Sequence, residues 1–375
     1  MDDMSQLAFV NPKFVDGGFM LESVDGDVQV VITSDLELDP SSANYRYLIM
    51  PLARSGLREN QIFDVLLRSG EDRRIGWLIP ANALSSKEHA DAENVHFLRY
   101  AYAAIREVLT GHVELYVNQL RQALQAGENS VPFSSLFHDN MSFLVICLDL
   151  AEHFGQFEPS RLIPSLVSFG YVPINYCEPE LVDWNCRDLD EGVRHLTLSP
   201  TGSGIARPDL PAKLFSLAAT SPTSTVTQFF YLYQVVELLL EEVLQAELES
   251  IGRAVSGSIQ SGQTSELRDH LEGLSQQLSE KYRLGVLMSS FDGADGAVKD
   301  VGIAADAFLQ RVGARPKQGI AGLYQVRNFV IHQVRNMPED AEELLRAVVV
   351  ELATFLPKVL STFKITPQAS SAISG

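Results

Sequence analysis

Short apolar runs separated by turn-forming residues fill the first 85 residues of the chain. Runs such as 18–22, 28–33 and 74–80 are rich in β-branched and aromatic side chains, and Gly, Asp, Pro and Ser cluster between them. This pattern is typical of β-strands joined by turns. It predicts a small, mainly antiparallel, β-rich domain over residues 1–85.

After residue 86 the apolar residues recur at steps of three and four, which indicates helices. Residues 86–210 are therefore predicted to form a middle region that is partly helical and partly irregular. Its predicted elements are a helical stretch over 95–124, a helical run over 133–154, a short helix near 159–168, a proline-rich irregular stretch over 170–211 and one strand at 193–198.

The C-terminal part keeps helical spacing almost throughout, with short polar interruptions. The predicted helices cover about 223–251, 263–284, 298–312, 319–336 and 339–363. Five helices with short connections form a bundle, which is assigned to residues 211–365, and a polar flexible tail is expected over 366–375. The predicted fold class is thus α+β, with a mainly antiparallel β region and helices first and an all-α bundle second.

Charge is distributed unevenly along the 375 residues, whose formal net charge is −19. This value excludes a protein whose whole surface coats nucleic acid or an anionic membrane. Residues 1–200 carry −15, whereas residues 299–335 carry +4 from six basic and two acidic side chains. Contact with nucleic acid is therefore expected only at 299–335, and one hypothesis is that the acidic N-terminal half masks this patch at rest.

The compartment is indicated by cysteine usage and by the start of the chain. The three cysteines are too few and too widely spaced for a disulfide framework or a Cys-x-x-Cys metal motif. The first residues lack the basic and apolar segments of a secretory signal, and acidic residues interrupt the most apolar later stretch. We expect a cytoplasmic protein that does not enter a membrane.

A stripe of polar side chains of the types that take part in catalysis lies on the predicted fourth helix of the bundle. Tyr324, Asn328, His332 and Arg335 are three or four residues apart and share one helix face. Arg327 lies about 140° around the axis from His332, so its long side chain has to reach across the flank of the stripe. An amphipathic helix with a solvated polar face explains the same spacing.

The residue types in this stripe suit chemistry on a phosphate. His332 lies within roughly one and a half turns of the helix C-terminus, whose partial negative charge favours an imidazolium. A histidine exchanges protons near neutral pH and can serve as a general acid. An arginine holds a phosphate at two points, and the amide of Asn328 can orient a reacting group.

The segment 327–332, with the sequence Arg-Asn-Phe-Val-Ile-His, resembles the R-x4-6-H motif of HEPN-domain ribonucleases. The earlier segment 229–237, FFYLYQVVE, resembles the first long helix of that family's bundle, especially of its ApeA-like branch. The resemblance covers roughly residues 222–363. It implies a bacterial antiphage effector that is a metal-independent endoribonuclease without a cofactor, acting as a homodimer whose two bundles face each other across one cleft.

The resemblance also implies roles for individual residues. His332 would assist proton transfer as the 2′-hydroxyl of RNA attacks the adjacent phosphorus, Arg327 would stabilise the phosphate charge, and Asn328 would position His332 or the substrate. The expected RNA contacts are stacking on Tyr324 and cationic contacts from Arg315, Lys317 and Arg335.

Two other interpretations remain open on the sequence alone. Some HEPN bundles are non-catalytic dimerisation or partner-binding scaffolds, and such a scaffold is the alternative to a nuclease here. Glu237 is either an ion-pair partner of Arg327 across the bundle or an exposed glutamate. The N-terminal region is a candidate site for a phage-derived trigger or a protein partner.

A metal site is a weaker hypothesis, because it needs ligands from two helices. The candidate ligands are His89, Glu93 and His96, at the helical spacing i, i+4, i+7, with Asp149, Glu152 and His153 as a partial second set.

Overall fold

The computed structural model describes two compact units. The described residues are 12–58, 60–68, 72–154, 157–174, 184, 189, 192–220, 224–261, 280–289, 296–315 and 321–363. The first unit holds the described residues of 12–159, 170–184 and 188–198, and the second holds those of 160–169 and 199–363. The fold class is α+β, as predicted.

The first unit contains two β-sheets. Its strands are β1 (Lys13–Val15), β2 (Gly18–Glu22), β3 (Gln29–Thr33), β4 (Tyr47–Ala53), β5 (Phe63–Leu67), β6 (Arg73–Pro80), β7 (Ser130–Pro132), β8 (Met141–Cys147), β9 (Val172–Pro173) and β10 (His195–Leu198). The smaller sheet has the order β1-β2-β3-β7 and the larger has the order β10-β5-β6-β8-β4-β9. Pairing is antiparallel except for β3 with β7 and β5 with β10.

The helical run predicted over 133–154 is wrong. This stretch contains a 3₁₀ turn at Phe133–Leu136, the strand β8, the short helix α3 (Leu148–Ala151) and a second 3₁₀ turn. Strand β8 lies between β6 and β4, and all seven of its residues are buried. A strand covered on both faces is apolar throughout, so it lacks the alternation that would distinguish it from a buried helix.

Two longer helices follow β6 in the chain, α1 (Val95–Gly111) and α2 (Val113–Gln125). Asn94 caps α1 by accepting a hydrogen bond from the backbone N–H of His96. Helix α1 packs on β4, β6 and β8, and the ring of Phe97 meets that of Trp77 edge to face with centroids 5.5 Å apart. The described residues of 86–159 therefore belong to the same compact unit as the strands before them.

The second unit is helical among its described residues. It contains α4 (Ile163–Ser168), α5 (Asp209–Thr220), α6 (Thr225–Ser261), α7 (Glu280–Ser289), α8 (Ala297–Arg311), α9 (Ala321–Gln333) and α10 (Ala341–Thr362). Helix α10 packs on α6 and α8, and α9 also contacts both α6 and α8. Helix α5 is absent from the prediction, and residues 263–279 of the predicted helix over 263–284 lie outside the described residues. No described helix is long and apolar enough to cross a membrane.

Glu247 is a buried carboxyl group on α6, only 7% exposed, and burial raises its pKa above the ordinary value for glutamate. Below the pKa of the unfolded chain both states are protonated, so the group does not change stability. As the pH rises, the unfolded state ionises in water while the folded state has to bury a charge or keep a proton. Glu247→Gln should therefore stabilise the protein at about pH 7 and have little effect at about pH 4. Urea unfolding followed by helical circular dichroism measures this, and the exposed neighbour change Glu249→Gln should not show the same gain.

Candidate functional site in the helical bundle

Helix α9 is anchored in the bundle by one apolar face. Leu323, Val326 and Val330 are almost fully buried, at the three- and four-residue spacing that aligns side chains on a helix. Arg327 and Asn328 follow on the flank and are half-buried. The apolar anchoring thus fixes where the guanidinium group of Arg327 can reach.

The Arg327 guanidinium contacts both α6 and its own helix. Its Nη2 donates to Oε1 of Glu237 at 3.3 Å, and its Nη1 donates to Oδ1 of Asn328 at 3.2 Å. Its central carbon lies 5.9 Å from the centroid of the Tyr233 ring. Nε is buried without a hydrogen-bond partner among the described residues, while the side chain as a whole is 25% exposed. Arg327 is therefore a cation held in one position rather than a mobile surface charge.

The face of α6 that meets Arg327 is aromatic and then acidic. Phe229, Tyr233 and Glu237 are four residues apart, and the rings of Phe229 and Tyr233 stack with centroids 5.7 Å apart. This is the segment whose sequence resembles the first long HEPN helix. The ion pair of Glu237 with Arg327, which was one of two sequence interpretations, is formed.

His332 is exposed in the last turn of α9, which ends at Gln333 and continues as a 3₁₀ turn to Asn336. Its side chain makes no hydrogen bond or ion pair with any described residue, Arg327 included. Within one chain, the structure joins Arg327 to Asn328 and Glu237 but not to His332.

The predicted RNA contacts occupy different environments. Tyr324 is half-buried, whereas Arg315 and Arg335 are exposed and make no ion pair with a described residue. Lys317 lies outside the described residues. An exposed arginine can contact a phosphate, so the exposure of Arg315 and Arg335 is compatible with their predicted role in binding RNA.

The positive charge of 299–335 is partly neutralised by acidic residues from outside this segment. Glu237 pairs with Arg327, and Asp340 pairs with Arg311 at 2.6 Å. The net charge of +4 counted from residues 299–335 alone is therefore larger than the positive charge at the surface of this segment.

The proposed metal ligands do not share a helix face. Helix α1 begins at Val95, so His89 and Glu93 precede it. His89 Nε2 donates to the carbonyl of Ala83 at 3.0 Å, whereas His96 is exposed. The expected helical spacing of the three residues is thus wrong, because the Asn94 cap starts the helix after Glu93.

The second set of candidate metal ligands is occupied by an arginine. Arg46 Nη2 bonds to Asp149 at 2.9 Å and to Glu152 at 2.6 Å. The backbone N–H and the guanidinium of Arg46 lower the pKa of Asp149. His153 Nδ1 contacts the carbonyl of Asp149. Within the described part of the chain, no three His, Cys, Asp or Glu side chains are arranged to hold a metal.

A cleft of about 880 Å³ in the first unit is lined by polar groups that include Arg54, Arg58, Gln61, His89 and Arg194. Of these, His89 was a candidate from the sequence, but as a metal ligand. The other four come from widely separated segments and form no motif, so no local signal points to them.

Comparison with known proteins does not assign the chain to a family. The chain matches no protein-family model, no curated protein and no solved structure.

Proposed function

We propose that this protein is a metal-independent endoribonuclease of the HEPN type, with Arg327, Asn328 and His332 as its catalytic residues. One observation carries the proposal. A single helix of the bundle carries a guanidinium held in place by Glu237 and, in its last turn, an exposed imidazole that has no partner among the described residues.

The proposed reaction is an attack of the 2′-hydroxyl on the adjacent phosphorus. The P–O2′ bond forms as the P–O5′ bond breaks, which leaves a 2′,3′-cyclic phosphate and a 5′-hydroxyl. His332 gives a proton to O5′ as the P–O5′ bond breaks, and the proton of the 2′-hydroxyl is released to water. Arg327 stabilises the charge on the phosphate oxygens, and Asn328 keeps the guanidinium oriented through its 3.2 Å hydrogen bond. No metal or other cofactor takes part in this scheme.

The proposed active form is a homodimer. Residues five apart on a helix point about 140° away from each other, so one phosphate cannot easily meet both groups of the same chain. A second bundle facing α9 would supply the missing group.

We also propose that the protein acts in the cytoplasm of an infected bacterium, in abortive defence against phage, after a trigger reaches the N-terminal region.

The chemistry is tested on a short single-stranded RNA with excess chelator. We expect cleavage to continue and the products to carry 2′,3′-cyclic phosphate and 5′-hydroxyl ends. An RNA with a 2′-deoxy sugar at the cleaved linkage should resist. Loss of cleavage on chelation, or 5′-phosphate products, would contradict the proposal.

A non-catalytic dimerisation or partner-binding bundle is the second candidate. It is favoured by the contacts of Arg327 with Glu237 and Tyr233, because these give the arginine a structural role within one chain. In that case Arg327 only connects α9 to α6, and RNA is not cleaved.

The strength of the Arg327–Glu237 pair can be measured with a double-mutant cycle of Arg327→Ala and Glu237→Ala. Both side chains are partly exposed, so we expect a coupling free energy of about 0.5–1 kcal/mol in urea unfolding. The more exposed pair Arg311–Asp340 provides a control, with a smaller coupling expected. A coupling near zero would show that the contact does not stabilise the bundle.

A further inference from the structure

We propose that the cleft of the first unit binds a small molecule through a phosphate group, with Arg54 as the inner anchor. The cleft measures about 880 Å³, which is within the range of sites for small ligands. Arg54 lines this cleft although its side chain is only 7% exposed. Arginine is seldom buried to this degree without a partner of opposite charge.

Arg54 has no such partner among the described residues. Its Nη1 donates to the neutral amide oxygen of Gln61 at 3.1 Å, and its guanidinium carbon lies 5.1 Å from the ring centroid of Tyr171. Its Nε is buried and has no hydrogen-bond partner in the part of the chain that the structure describes. A buried cation with unfilled donors carries a desolvation cost that a bound anion would offset.

Gln61, which accepts from Arg54, is itself bonded to Arg58. The amide oxygen of Gln61 also accepts from the backbone N–H of Arg58 at 3.1 Å, and the backbone N–H of Gln61 donates to the carbonyl of Arg58 at 3.0 Å. These bonds orient the guanidinium before any ligand arrives, so binding would cost little ordering of this side chain.

A second buried nitrogen lines the same cleft. His89 is 8% exposed, and because its Nε2 donates to a carbonyl, Nδ1 is the ring nitrogen left for a further hydrogen bond. Nδ1 is buried and has no hydrogen-bond partner among the described residues. Two orphaned nitrogens on side chains more than nine-tenths buried, in one cleft, indicate a polar ligand rather than an apolar one.

The rim of the cleft favours a phosphate over a carboxylate. The exposed Arg58 and Arg194 line it, together with the acidic side chains of Glu88 and Asp91. A phosphate monoester carries up to two charges and three acceptor oxygens, so it can meet an inner and an outer guanidinium together. A single carboxylate can be satisfied by one arginine.

The test is calorimetric titration of the full chain with inorganic phosphate, adenosine monophosphate, adenosine and citrate. We expect saturable binding of inorganic phosphate and of the nucleotide, and none of adenosine. Arg54→Met should weaken phosphate binding at least about 30-fold. Arg58→Ala and Arg194→Ala, on the exposed rim, should weaken it about two- to fivefold. Arg68→Ala, an exposed arginine of the same unit outside the cleft, should have no effect.

Folding of the variants is followed at the same time. Because an apolar side chain replaces an unpaired buried cation, Arg54→Met should unfold at the same or a higher urea concentration than the wild type. Phosphate should raise the unfolding midpoint of the wild type but not that of the variant. No saturable binding of phosphate or of the nucleotide, equal binding of citrate, or unchanged binding by both Arg54→Met and the rim variants would overturn the proposal.

Discussion

His332→Ala should lower the rate of RNA cleavage by about 10²–10⁴-fold, which is the usual contribution of a general acid or base. The side chain is exposed and has no partner among the described residues, so the free energy of unfolding should change by less than about 0.5 kcal/mol. A large loss of rate without a loss of stability would separate a catalytic from a structural role. The measurement is single-turnover cleavage of an RNA oligonucleotide, paired with urea unfolding of the same preparation.

The matched control is His96→Ala, because His96 is an exposed histidine at a helix terminus in the other unit. It should leave the rate unchanged. Arg327→Ala should lose rate as His332→Ala does, but it should also lose some stability through the contact with Glu237. If His332→Ala and Arg327→Ala both cleave at the wild-type rate while folded, the bundle is a scaffold and not a nuclease.

Mixing the two inactive variants also tests the proposed dimer. If His332 of one copy acts with Arg327 of another, mixed dimers of His332→Ala and Arg327→Ala keep one intact pair of groups. Partial recovery of activity on mixing would then be expected. Failure to recover, with dimers shown by sedimentation, would restrict the chemistry to groups from one chain.

Local patterns predicted most of the elements in which one face meets water. Strands β2, β3 and β10 and the C-terminal helices α8 to α10 follow their predicted positions closely. The pattern failed at β8, which is buried on both faces. It also failed at α5, where Pro211 suggested a loop although proline is tolerated in the first turn of a helix.

The candidate sites differ in how far they could be predicted. Arg327, Asn328 and His332 lie within one and a half helical turns, so one short segment of sequence, through its resemblance to a known motif, was enough to propose them. The ion pair of Glu237 with Arg327 depends on the packing of α6 against α9, because the two residues are 90 positions apart in the sequence. The cleft around Arg54 and His89 depends on strand pairing and on loops from distant segments, which no local pattern contains.

Gly76→Ala should have the largest effect on stability. Gly76 lies on β6 opposite Ile146 of β8, and a methyl group there would stand 2.1 Å from the carbonyl oxygen of Val145. The oxygen belongs to the backbone of a strand paired on both sides, so it cannot move aside without breaking the ladder. We expect a loss of about 3 kcal/mol in the free energy of unfolding.

The two tryptophans of the chain, Trp77 and Trp184, both belong to the first unit, so their fluorescence during urea unfolding reports on that unit. Gly111→Ala is the matched control, because the added methyl group would have no atom within 4 Å at the exposed end of α1. It should be neutral or stabilising by up to about 1 kcal/mol. Helical circular dichroism should show the second unit retained in Gly76→Ala, since the added methyl acts on the larger sheet alone. Equal midpoints for the two glycine variants would mean that β6 and β8 are not in this register.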